Sequence, residues 1–161
     1  MQPQIKTINP KKLIGQNLTM TFANNKTFEL WRQFMPRRKE ITTEVSSDLF
    51  SMQVFDDSFS FKNFNPNTSF QKWAALEVSS FDFVPEEMET FTLPGGLYAV
   101  FNYKGLSTDT QIFQYIYGTW IPNSKYELDQ RPHFEVLGEK YKNNDPNSEE
   151  EIWIPIKFIN K

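Results

Sequence analysis

Twice along this chain an alternating strand runs into an aromatic helix that stops at a proline. The helix end reads LWRQFMPRR in the first half and YIYGTWIPNS in the second, which sets Phe34 against Trp120 and Pro36 against Pro122. Two further strand-like runs follow each helix. The order strand, helix, strand, strand therefore occurs twice, at about 11–80 and about 93–158. A three-stranded sheet carrying one helix buries only one of its faces. Two such units joined edge to edge are expected to leave their other faces around a shared groove. The expected fold is α+β: one domain over 1–161, built by tandem duplication, with two antiparallel sheets joined around a central cleft and helices on the outer faces.

Alternation assigns side chains to faces within each strand. In the second half, Pro94-Gly95-Gly96 marks a turn before a strand over 97–104. Tyr98, Val100 and Asn102 share one face of it, and Ala99, Phe101 and Tyr103 the other. A helix capped by Ser107 or Thr108 is expected next, with Ile112, Phe113, Ile116, Tyr117 and Trp120 on its apolar face and a stop at Pro122. The strand at 134–137 sets Phe134 and Val136 against Glu135 and Leu137. In the strand at 151–158, Ile152, Ile154 and Ile156 face the core while Trp153 and Pro155 face away, and Pro155 suggests an edge strand or a bulge.

The first half reads in parallel. Residues 1–11 are expected to fray or to pack on an edge. A strand at 13–22 precedes a helix starting at Thr27 and ending at Pro36, with Arg37, Arg38 and Lys39 complementing its C-terminus. Strands follow at 49–55 and 70–80, separated by a polar loop whose Phe59, Phe61 and Phe64 are expected to cover something apolar. In the later strand, Ala74, Leu76 and Val78 make the core face, opposed by Trp73, Ala75 and Glu77. The acids within 140–150 read as solvated, and His133 as an ordinary turn residue.

Composition removes several function classes. A net charge of −3 supplies no basic field for nucleic acid. With no cysteine and one histidine, neither a thiolate or histidine metal site nor a Ser-His-Asp triad is expected, and no cofactor is expected. No apolar run is long enough to cross a membrane, so a cytoplasmic protein is expected. Sixteen Phe, six Tyr and four Trp supply rings for a core, for a cleft, or for both.

The second half carries four motifs in order: PGGLYAVFNYKG, a helix ending YGTWIP, PHFEVLG and EIWIPI. Together they resemble the GyrI-like small-molecule-binding family, which includes effector-binding domains of AraC-type and MerR-type regulators. The resemblance is good from about 93 to 158 and is one of element order before residue 70. It implies an aromatic cleft in which a glutamate pairs with cationic aromatic ligands. On this chain the FE-motif glutamate is Glu135, and the aromatic of the final motif is Trp153. Parity sets both away from the core-facing positions, so both are expected to look into the groove. Glu77 is the comparable carboxylate of the first half, with Trp73, Phe101 and Tyr103 as candidate walls. The expected function is a stand-alone sensor or sequestering protein for small cationic or amphipathic aromatic compounds. Because the chain has no helix-turn-helix, no direct nucleic-acid partner is expected. Alternatives are a hydrolase using a cleft carboxylate and tyrosine, or a module that binds a protein such as gyrase.

Overall fold

The computed structural model describes residues 2–56 and 64–159. Among the described residues, nine strands and two short α-helices occur in the order β1 (Gln4–Ile8), β2 (Lys11–Thr21), α1 (Thr27–Phe34), β3 (Glu44–Val54), β4 (Ser69–Val78), β5 (Glu89–Leu93), β6 (Gly96–Lys104), α2 (Gln111–Tyr115), β7 (Tyr126–Leu128), β8 (His133–Leu137) and β9 (Glu149–Phe158). The repeated unit is β2-α1-β3-β4 and then β6-α2-β8-β9. Rather than forming two sheets, the units share one, in the order β1-β6-β9-β8-β3-β4-β2-β5, joined where β3 pairs with β8. β7 adds to β9 off this path.

The short strand before each unit pairs with the other unit: β1 lies on β6, and β5 on β2. This exchange sets the curvature. β1 and β2 stand six places apart in the sheet, about 29 Å if it were flat. Only Asn9 and Pro10 join them, a reach of about 11 Å. Pro94 and Gly95 impose the same limit on β5 and β6. A flat sheet cannot satisfy either connector, so the sheet curls into a half-barrel. The two connectors pack together where Ile8 meets Gly96 and Lys11 meets Leu93. Gly95 permits this approach, because a Cβ there would sit 2.6 Å from the Ile8 carbonyl oxygen.

Curling gives the sheet a dry inner face. Leu13, Phe50, Met52, Trp73, Tyr98, Val100, Phe134 and Trp153 form one buried cluster drawn from both units. The outer face carries both helices. Leu30 and Phe34 of α1 cover Ile14, Ala74 and Leu76, while Ile112 of α2 and the turn after it cover Ala99, Phe101, Ile152 and Ile154. The registers Ala74–Ser51, Ser51–Glu135 and Glu135–Ile152 put both helix footprints on the same side, since directly opposed residues share a face.

Several boundaries differ from expectation. Pro36 does not end the first helical segment. It sits at the start of a 3-10 segment, Met35–Glu40, where its missing N–H is tolerated. The second helix begins later than expected, with the Asp109 carboxylate accepting from the Gln111 N–H at 2.9 Å. It continues as a π-helical turn, Ile116–Trp120, closed by Ile121 N–H donating to the Ile116 carbonyl at 3.0 Å. β3 starts earlier, with a register irregularity between Glu44 and Leu49 that its polar residues conceal. Pro155 is in an interior strand, but β8 pairing ends at Trp153 and β7 pairing begins at Ile156, so the missing donor falls in the gap. Phe59 and Phe61 lie outside the described residues; Phe64 packs edge-on against Phe22 at 5.2 Å. Among the described residues no helix is long and apolar enough to cross a membrane.

Gly95→Ala is expected to lower unfolding stability by about 1–3 kcal/mol, because its methyl meets backbone that cannot retreat. Gly118→Ala, whose Cβ would meet nothing within 4 Å, is expected to be neutral or to gain up to about 1 kcal/mol. Urea unfolding of both variants checks the contrast.

Candidate functional site

The middle of the outer face is neither apolar nor capped by a helix. α1 sits over β2 and β4, and α2 over β6 and β9. Between them, β3 and β8 present Ser51, Gln53, His133 and Glu135, with Lys72 of β4 alongside. The rows Lys72–Gln53–His133 and Ala74–Ser51–Glu135 cross three adjacent strands. With its amide turned so that its oxygen accepts from the Lys72 ammonium, Gln53 donates to Glu135 Oε2 at 3.1 Å and to the His133 carbonyl at 3.1 Å. Lys72 is 7% exposed and His133 6%.

The π-helical turn brings Tyr117 across this strip, with its hydroxyl 3.0 Å from His133 Nδ1. Phe55 meets the His133 ring edge-on at 5.1 Å. Glu150 lies on the same side of β9, diagonal to Glu135 and opposite Tyr103 of β6.

Burial dominates the electrostatics. It raises the Glu135 pKa, with Lys72 and the Gln53 hydrogen bond opposing. Burial and then the Glu135 charge push Glu150 up to about 7, with Lys72 opposing. Burial lowers the Lys72 pKa against the pull of both glutamates. Burial, aided by the Arg131 charge, takes His133 down to about 3, so it is neutral at physiological pH. The Tyr117 hydroxyl is pushed well above its ordinary range by burial and by Glu135, and so holds its proton.

The sequence-derived residues divide between the two faces. Glu135, Phe101 and Tyr103 are on the helix-bearing side. Phe101 is core beneath α2, edge-on to Trp120 at 5.4 Å, and Tyr103 donates to the Leu106 carbonyl at 2.8 Å. Trp153, Trp73 and Glu77 are on the inner side. Trp153 is opposite Phe134 in register and stacks on it at 5.2 Å, so Trp153 and Glu135 do not share a groove. The Lys6 ammonium, 5.6 Å from the Trp153 ring, already occupies that ring's cation position. Trp73 packs against Phe91 at 5.4 Å, and Glu77 pairs with Lys11 at 3.4 Å.

Sequence reasoning missed Lys72 and Gln53, gave Tyr117 only as part of an apolar helix face, and misread His133 and Glu150. Glu150 is not simply solvated, and His133 is buried in a strand rather than placed in a turn. Lys72 did leave a signal: it shares parity with Ala74, Leu76 and Val78, so it is a cation in a core row. Two surface hollows lie elsewhere, one of about 490 Å³ beside Arg38 and Glu44, and one of about 280 Å³ lined by residues including Tyr103, Ile112 and Tyr115. Neither contains Glu135.

The family model for integron-associated effector-binding proteins, Cass2, matches residues 4–156. The chain belongs to this family. Cass2 is a GyrI-like family, so the kinship suggested by the second-half motifs extends through both units. The transcriptional regulator BrlR of Pseudomonas aeruginosa is 32% identical over 134 residues, covering 80% of this chain but 45% of the regulator. The chain therefore spans less than half of that relative's length. The structure of SAV2435 bound to tetraphenylphosphonium superposes with TM-score 0.68 at 17% identity, covering 98% of this chain and 94% of that one. An integron cassette protein of Vibrio cholerae gives TM-score 0.66 at 16% identity, over 97% and 96% of the two chains. At these identities the likeness is one of fold.

In this Cass2-family chain Glu150 imposes a pH dependence of known sign. Unfolded, a glutamate loses its proton near pH 4.3; folded, Glu150 holds it to about 7. Between these values the folded state binds the extra proton, so this contribution to stability falls as pH rises from about 4 to about 7. Glu150→Gln is expected to match the wild type at pH 4 and to exceed it in stability at pH 8. Urea midpoints at the two pH values check this; parallel pH profiles would contradict it.

Proposed function

We propose that this chain binds a small cationic or amphipathic aromatic compound at the β3–β8 junction, with Glu135 as the anion that the ligand's charge meets, and that it works as a sensing or sequestering module. The carrying observation is the carboxylate itself. Glu135 lies in a desolvating strip, receives Gln53 on one oxygen, and has no lysine or arginine nitrogen within 4 Å among the described residues. A part-buried carboxylate with incomplete compensation is costly, and a ligand cation relieves that cost. Tyr117 adds a ring close by, of the kind that attracts cations. Membership of an effector-binding family and the tetraphenylphosphonium bound to a protein of the same fold support this reading.

A second reading, turnover of the ligand, draws on the Tyr117 hydroxyl beside neutral His133 with a carboxylate on the same face. Product analysis after incubation separates it from simple binding.

Tetraphenylphosphonium tests the main reading. Wild type is expected to show a concentration-dependent thermal shift. Glu135→Gln is expected to bind it about ten- to a hundredfold more weakly, roughly 1.4–2.8 kcal/mol. Its unliganded stability at pH 8 should be equal to or above wild type, because the buried charge is gone. Equal shifts in the two proteins would remove Glu135 from the site.

A further inference from the structure

Lys72 is a buried lysine within the field of two acids, Glu135 and Glu150, and the proposed ligand contact does not involve it. Its ammonium does not pair directly with Glu135; Gln53 stands between them, accepting from Lys72 and donating to Glu135 Oε2. Among the described residues no donor reaches the other oxygen, Oε1, which is not sealed from solvent. Glu150 approaches from β9 and feels both the Glu135 and Lys72 charges. Of the other groups facing the strip, His133 from β8 is neutral and Tyr117 from the turn after α2 keeps its proton, while the Arg131 charge that acts on His133 is paired with Asp129 at 2.9 Å.

We propose that Lys72 sets the charge of the ligand: with all three groups ionised, two carboxylates and one resident ammonium leave a single net negative charge, so the site takes a monocation and discriminates against a dication. This rests on Glu135 being the ligand's anion. The interposed amide is what makes the arrangement work. A direct ion pair would cancel the Glu135 carboxylate, whereas Gln53 keeps the ammonium one side chain away. One carboxylate oxygen is left toward the ligand, while the lysine's field still opposes a second positive charge. Its aliphatic stem lies in the same row as Ala74 and Leu76, so the ammonium has little freedom to swing away. Lys72 is thus a specificity-determining residue acting at a distance rather than a contact.

Calorimetric titration at pH 8, above the value of about 7 to which Glu150 is raised, with tetraphenylphosphonium, one charge, and methyl viologen, an aromatic dication, tests this. Wild type is expected to favour the monocation. Lys72→Met keeps an unbranched stem without the charge, and is expected to shift the ratio of the two dissociation constants toward the dication by about tenfold, the size expected of one charge several ångströms away in a partly buried site. Glu150→Gln perturbs the same balance from the solvent side without touching the buried lysine. It is expected to weaken tetraphenylphosphonium severalfold while keeping the preference against methyl viologen. A ratio unchanged within twofold in Lys72→Met would overturn the role of Lys72. If that variant does not fold, Glu150→Gln decides: unchanged tetraphenylphosphonium affinity overturns the charge balance. Wild type that binds neither cation, or Glu135→Gln that binds tetraphenylphosphonium as well as wild type, would instead overturn the Glu135 site and this inference with it.

Discussion

Two connectors of two residues each, Asn9-Pro10 and Pro94-Gly95, control this fold. Each joins strands that stand six places apart in the sheet, so each can close only if the sheet bends. Bending separates the faces by function. The inner face is sealed by rings from both units, and the outer face receives both helices. Because the units join strand to strand at β3 and β8, the outer face between the helices becomes a seam, and the polar residues of the chain's middle strands collect there. The candidate site follows from the duplication: each helix covers its own unit, and neither covers the joint.

The seam concentrates charge where water is scarce. Glu135, Glu150 and Lys72 are held close enough to shift one another's protonation, and burial is the largest influence on all three. The amide of Gln53 organises them without neutralising the acid. Neutral His133 and protonated Tyr117 border the cluster and add polarity without charge. An arrangement of this kind is costly for folding, and clusters with shifted protonation concentrate at functional sites.

Much of the architecture was legible in the sequence. The repeated strand-helix-strand-strand order, the helices on the outer side and the alternation within each strand all followed from periodicity and turn residues. Glu135 as the candidate acid followed from family resemblance. The failure over Trp153 has a definite cause. Alternation tells which residues of one strand share a face, but not which face of the neighbouring strand they join. Register decides that, and it sets Trp153 opposite Phe134 rather than Glu135. Trp73 and Glu77 went to the inner side for the same reason. The strand exchange of β1 and β5 was invisible because it depends on long-range pairing, and the π-helical turn that delivers Tyr117 because it mimics an ordinary helix in pattern.

The central claim is that the ligand's cation is met on the helix-bearing side of the β3–β8 seam. A crystal structure of the complex with tetraphenylphosphonium tests it most directly. The account predicts the phosphonium beside the Glu135 carboxylate and under Tyr117, with the inner cluster of Trp73, Phe134 and Trp153 still closed. Phosphonium lodged among those inner rings, or in the hollow beside Arg38, with Glu135 untouched, would contradict it.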